Sequence, residues 1–354
     1  MKKLSIKRRE FLKRKIEKYI RITTKLLWRK LKCKKKKEVS KRKKETKSPR
    51  ITRKRTAIIK APKSFGLSNE ETRREIISML DSIKQVLSRN DSVKISFEDT
   101  EKLFPGGTLF FMSELEVLLN KFPAQITCNY PKDDTVEQLF QHIGALEKLG
   151  LAPRKKISAE NVKYWHYLNG TSTDTSEFKG LFAAYAEEIK NDVQSGLYDS
   201  MTEAVDNAIE HAFGNSDNKN RQEKRWWMFS QLVDGNITVV ICDLGVGIPR
   251  TIWTKPELTD YFRTSYWQHK KKKDAGLIEI AVNSKKSRTK LKHRGKGLPD
   301  MLEFVKINKI GNFLIHSYKG YFHYDAGLKK EIGKNFTTAI PGTLIQWEIP
   351  LREV

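Results

Sequence analysis

The positive charge of this chain is crowded into one end, and that crowding decides where a fold can form. Residues 1–60 hold 28 Lys or Arg against 4 Asp or Glu, a net of +24, out of +27 for all 354 residues. The remaining 294 residues carry a net of +3. A segment with so much like charge cannot gather a core, so the folded body must come from the rest. The near-neutral body also excludes reading the whole protein as a nucleic-acid binder. With 38% hydrophobic residues, the chain has enough apolar side chain for two ordinary domains.

The arm is not uniform. Phe11, Leu12, Ile16, Tyr19, Ile20, Leu26, Leu27, Trp28 and Leu31 recur among the charges, several at helical spacing, whereas residues 32–56 are almost free of apolar side chains. An arm of this kind suits a polyanion such as nucleic acid, or an anionic membrane surface. A solvated tail without a dedicated partner suits it equally. Cys33, Cys128 and Cys242 are odd in number and lack CxxC spacing. Neither a disulfide framework nor a zinc site is expected, and a reducing cytoplasm fits best. No apolar run of transmembrane length and no signal-peptide pattern is visible.

From residue 66 the pattern becomes globular. Residues 68–89 read as a helix with Ser68 as cap and Glu70 and Glu71 in its first turn. Val93–Phe97 and Ile126–Tyr130 read as strands, and Thr108–Asn120 and Thr135–Leu149 as helices. This small α/β module, residues 66–152, resembles a STAS domain in its order of elements. The resemblance makes Thr108, at a helix start, comparable to a phosphorylation site of that family; a plain helix-capping role is the alternative. Residues 153–177 read as a polar connector in which Tyr164–Tyr167 could pack as a strand.

Residues 178–354 carry the chemistry. In the helix 197–213, Glu203, Asn207 and His211 are spaced by four, so all three project from roughly one face. A carboxamide oxygen can ligate Mg²⁺ beside phosphates without adding charge, and a Glu one turn earlier can accept a proton. The apolar strand Ile237–Cys242 runs into Asp243, then Gly245, Gly247, Ile248 and Pro249. A carboxylate at a strand end can accept the exocyclic amine of adenine, and the glycines let backbone approach a ligand. Arg294, Gly295, Lys296, Gly297 and Leu298 open another helix, where free N–H groups and two cations suit phosphates. Gly342 and Thr343 start the last strand, Leu344–Ile349.

This ordered set resembles the GHKL superfamily, which includes DNA gyrase, MutL and histidine kinases, and within it the anti-sigma-factor serine kinases. The segment from Glu203 to His211 matches the N box, 243–249 the first glycine box, 294–298 the second, and Gly342-Thr343 the terminal strand. The resemblance implies a Bergerat fold, a two-layer α/β sandwich with a mixed sheet and helices on one face, binding ATP and Mg²⁺. It makes Asn207 the Mg²⁺ ligand, Glu203 the general base and Asp243 the adenine reader. The glycines then shape the pocket, with His211, Ile248, Arg294, Lys296, Leu298 and Thr343 around it. The interval 250–293, where the family has its ATP lid, is long here and contains the basic run His269–Lys273. The expected activity is γ-phosphate transfer to Ser/Thr or hydrolysis. The alternative is an ATP-gated switch or interaction module that phosphorylates no protein. A protein partner and a homodimer are further expectations.

Overall fold

The computed structural model describes residues 55–184, 191–212, 224–252, 273–284, 297–309 and 311–350. The basic arm to residue 54, with its expected polyanion or membrane contact, and the run His269–Lys272 lie outside them. The first half gives β1 (Thr56–Lys60), β2 (Ser64–Phe65), α1 (Glu70–Ser88), β3 (Ser92–Ser96), β4 (Lys102–Leu103) and α2 (Pro105–Lys121). It continues with β5 (Ile126–Cys128), α3 (Asp134–His142), α4 (Ala145–Lys148) and α5 (Glu160–Lys163). The second half gives β6 (His166–Gly170), α6 (Glu177–Ala184), α7 (Asn191–Asp206), β7 (Trp226–Val233), β8 (Asn236–Asp243) and α8 (Ile248–Thr251). Then follow α9 (Lys273–Asn283), α10 (Gly297–Asn308), β9 (Asn312–Asp325) and β10 (Lys330–Pro350).

Local rules set most boundaries. In α1 the cap is Asn69, whose side chain accepts from Glu71 N at 2.8 Å, so the helix starts one residue after the expected Ser68 cap. Ile76, Met79, Leu80, Ile83 and Leu87 form its buried stripe. Pro105 stands in the first turn of α2, where a missing N–H costs nothing, and extends that helix over the expected Pro-Gly-Gly turn. Gly107 is needed there because a side chain would run into the Phe65 carbonyl. The expected helix 135–149 is two helices, broken at Gly144 with φ +74°.

Thr108 corrects its expectation. It lies inside α2, fully buried, with Oγ1 unpartnered, and the cap position belongs to Phe104. A hydroxyl sealed in the core neither caps the helix nor meets a kinase.

Strands β1, β3 and β5 form a parallel sheet in that spatial order. The larger sheet has the order β6-β7-β8-β10-β9 and is antiparallel at every pairing, where a mixed sheet is expected. Its tight turns explain this: Asp234 and Gly235, both at positive φ, fold β7 back onto β8. Strand β6 comes from the stretch read as a connector. The rest of that stretch is fastened to α3, with Arg154 bound bidentately by Glu137 at 2.6 and 3.0 Å and stacked 3.7 Å from the Tyr130 ring.

Helices cover both faces of the larger sheet, which corrects the one-face expectation. Trp226, Met228, Val239, Ile241, Ile345 and Trp347 point to one face, where α7 and α10 supply Leu197, Met201, Val205, Leu302 and Val305. The intervening Trp227, Phe229, Val240 and Cys242 point to the other and join the core of the first half. Helix α2 fills the space between. Its Phe111 packs with Phe65, Phe97 and Phe140 of the module. On the sheet side Glu116 accepts from Trp227 Nε1 at 2.7 Å. One of the two large cores thus spans the first and second halves.

Candidate functional site

Helix α7 does not end as a regular α-helix. Asn207–His211 continue as a π turn, in which Ala212 N donates to Asn207 O at 3.0 Å, five residues back. The wider ring re-aims the chain end, and the Ala212 carbonyl accepts from Val246 N at 2.7 Å. The glycine loop after β8 therefore sits on the end of the helix that carries Glu203 and Asn207. Gly245 permits the contact, since any side chain there would strike the Ala212 carbonyl.

Within that helix, Asn207 Nδ2 donates to the Glu203 carbonyl at 2.8 Å and reaches Glu203 Oε1 at 3.4 Å. Both side chains are half-buried. Gly297, with φ +69°, opens α10 beside them, and a Cβ placed on it would lie 3.8 Å from Glu203 Oε1. Gly297 of the second glycine motif is thus beside the carboxylate. Leu298 continues α10 and packs against the core on that side. Arg294, Gly295 and Lys296 lie outside the described residues. His211 closes the π turn through its backbone, and its side chain lies outside what is described.

Asp243 ends β8, paired across the sheet with Trp226 on one side and Thr343 on the other. Its Oδ1 accepts from Gly245 N at 2.7 Å. Burial pushes its carboxyl up to about 7, against the pull of the backbone N–H groups of Gly245 and Thr343. A buried carboxyl poised near neutrality is costly to keep and marks a functional candidate. The loop then reaches β9 and β10: Gly342 N donates to Gly245 O at 2.7 Å, and Ile248 N donates to Ser317 Oγ at 2.9 Å. Ser317 Oγ in turn donates to Gly342 O at 3.1 Å and lies 3.1 Å from Thr343 Oγ1. Gly247 at φ +82° and Gly342 at φ +70° take conformations that other residues resist.

Asp243, Gly245, Gly247, Ile248 and Thr343 accordingly form one cluster, joined through Ala212 to the helix of Glu203 and Asn207, with Gly297 beside Glu203. Two members escape the sequence motifs, Ala212, whose carbonyl receives the loop, and Ser317, which follows the buried His316. The signal for Ser317 is that polar pair, buried inside the apolar strand Phe313–Ile315 and beyond. Among the described residues no group of three His, Cys, Asp or Glu side chains could hold a metal by itself. A Mg²⁺ here would use Asn207 together with phosphate oxygens and water, as Mg²⁺ commonly does.

These features define an α/β protein whose glycine loop and acidic strand end meet the end of the helix that carries Glu203 and Asn207. No protein-family model matches the chain, and no curated protein matches it either. Among the described residues no helix is long and apolar enough to cross a membrane.

Proposed function

We propose that this chain binds an adenine nucleotide with Mg²⁺ at the Asp243–Ala212–Gly297 junction, in the manner of the GHKL superfamily, and transfers or hydrolyses the γ-phosphate. One observation carries the reading: segments around 212, 243–248 and 342–343, far apart in sequence, meet through close backbone contacts at glycines, and Gly297 lies beside the Glu203 carboxylate. The residues fit the group. Asp243 offers a buried acceptor for the exocyclic amine of adenine. The glycines at 245, 247 and 342 let the loop close tightly on Ala212, Ser317 and Asp243, which fixes the backbone around that carboxyl.

Bound nucleotide and metal supply the electrophilic phosphorus and the charge neutralisation. The chain's part is positioning. Asn207 turns its nitrogen to Glu203, so its oxygen is the atom left for a cation. Glu203 Oε1, beside Gly297, is the base that takes a proton from the attacking hydroxyl or water. The Bergerat architecture is proposed with two departures, the fully antiparallel sheet and the second covered face. The shared core supports a second reading, in which nucleotide switches a partner contact and no protein is phosphorylated.

The test is label transfer from γ-labelled ATP, run on wild type, Glu203→Ala and Asn207→Ala. Labelled protein supports a kinase and free phosphate an ATPase. Glu203→Ala should keep Mg-nucleotide binding and lose about 10²-fold or more in turnover. Asn207→Ala should lose Mg-dependent binding. Wild-type turnover in Glu203→Ala removes that residue from the base role.

A further inference from the structure

Helix α1 holds the wall of the candidate site from behind, and it does so with a buried charge. Arg73 is fully buried. Its Nε donates to Thr338 O at 3.1 Å, its Nη2 to Tyr318 O at 2.6 Å, and its Nη1 approaches His316 Nδ1 at 3.3 Å. The guanidinium lies 4.4 Å from the centroid of the Phe336 ring. One turn earlier Glu70 accepts from Thr337 N at 3.2 Å and from the Thr337 hydroxyl. These acceptors and donors belong to β9 and β10, with Thr337 and Thr338 in a register break between Asn335 and Ile340 and a second break following it. Tyr318 pairs with Ile340 and Ser317 with Thr343, which leaves Pro341 and Gly342 as a bulge.

That bulge is the face that meets the glycine loop. Ser317, next to His316 and Tyr318, binds Ile248 N, Gly342 and Thr343. Tyr318 is held on two sides: its carbonyl by Arg73, its ring by Arg250, whose guanidinium lies 4.3 Å from the ring centroid. Its φ of 54° is unfavourable for a tyrosine and needs such support. An apolar residue would join α1 to the sheet at lower desolvation cost. A guanidinium is suited instead to fixing several acceptors in one geometry, and two of the three, Thr338 O and Tyr318 O, lie beside the register break while His316 adjoins Ser317.

We propose that Arg73 is a positioning residue for the glycine loop: through Tyr318 and Ser317 it sets Gly247, Ile248 and Thr343, and so couples the seating of α1 on β9 and β10 to nucleotide binding. This rests on the nucleotide reading above for its ligand and on the contacts alone for its mechanics. By linkage, whatever loosens α1 weakens the nucleotide, and nucleotide tightens α1 by the same factor.

The experiment compares the full chain as wild type, Arg73→Lys and Phe140→Leu. Phe140→Leu is a core change in the same module, away from the bulge. Amide exchange of the 245–252 region is followed without ligand, and Mg-ATP affinity by calorimetry. In Arg73→Lys, exchange at Ile248 should rise about tenfold and Mg-ATP should bind about tenfold more weakly. Phe140→Leu should change neither by more than about twofold. If Arg73→Lys does not fold, Thr337→Val, which removes only the hydroxyl held by Glu70, serves with about threefold effects expected. Wild-type protection of Ile248 in a folded Arg73→Lys, or equal effects from Phe140→Leu, overturns the proposal. A wild type that binds no Mg-ATP but shows Arg73-dependent exchange sinks the nucleotide reading and leaves the positioning role. Tight Mg-ATP binding with Arg73-independent exchange does the reverse.

Discussion

Asp243 concentrates the chemistry of the site in one titratable group. Burial holds its folded pKa near 7, above the ordinary 3.8. Between those values the native state binds the extra proton, so the contribution is fully present below pH 3.8 and is lost as pH rises through 7. The free protein should therefore lose about 1 kcal/mol from this residue between pH 6 and pH 8.5. Urea unfolding at the two pH values measures it, and Asp243→Asn should flatten the difference. Nucleotide affinity should run the other way. The amine of adenine needs the charged carboxylate, so affinity should fall by up to about tenfold for each pH unit below 7. Affinity that is flat from pH 5.5 to 8 would remove Asp243 from the adenine contact.

Between elements, the decisive contact is the glycine loop on the end of the π turn. Gly245→Ala should destabilise the protein by about 1–3 kcal/mol, because the methyl meets the Ala212 carbonyl and the loop must retreat. Thermal unfolding checks this, and an unchanged midpoint would mean the loop is free to move. The motif residues of this loop were readable because their signals are local: an apolar run, an acid at its end, and glycines at fixed intervals. What escaped was non-local. Strands β7 and β9 fall outside every motif, although Trp226–Phe229 are buried without interruption. Such a run marks a strand covered on both faces, as does the apolar run of β8. The segment 203–211 reads as a simple helix, because no residue in it announces the extra residue of a π turn. Ser317 and Arg73 act across gaps of 69 and 245 residues, beyond any periodicity.

At the scale of the molecule, the two halves are one folding unit. The core around Phe65, Phe97, Phe111 and Phe140 continues into Trp227, Phe229 and Leu344 of the larger sheet. Phe111→Ala should cost about 3–5 kcal/mol, and amide exchange should rise in β8 as much as in β3. Loss confined to residues 55–165 would instead make the halves separate units. The alternation of helices and strands in the first half was legible, but its service as a lid on the second sheet was not, since α2 is apolar nearly all round and its partner lies 111 residues away. The central claim is that this single unit holds one adenine nucleotide at Asp243. Calorimetric titration of Mg-ATP into the full chain tests it most directly. A saturable heat at one site per chain, abolished by Asp243→Asn, is the predicted result; no heat, or the same heat from Asp243→Asn, would contradict it.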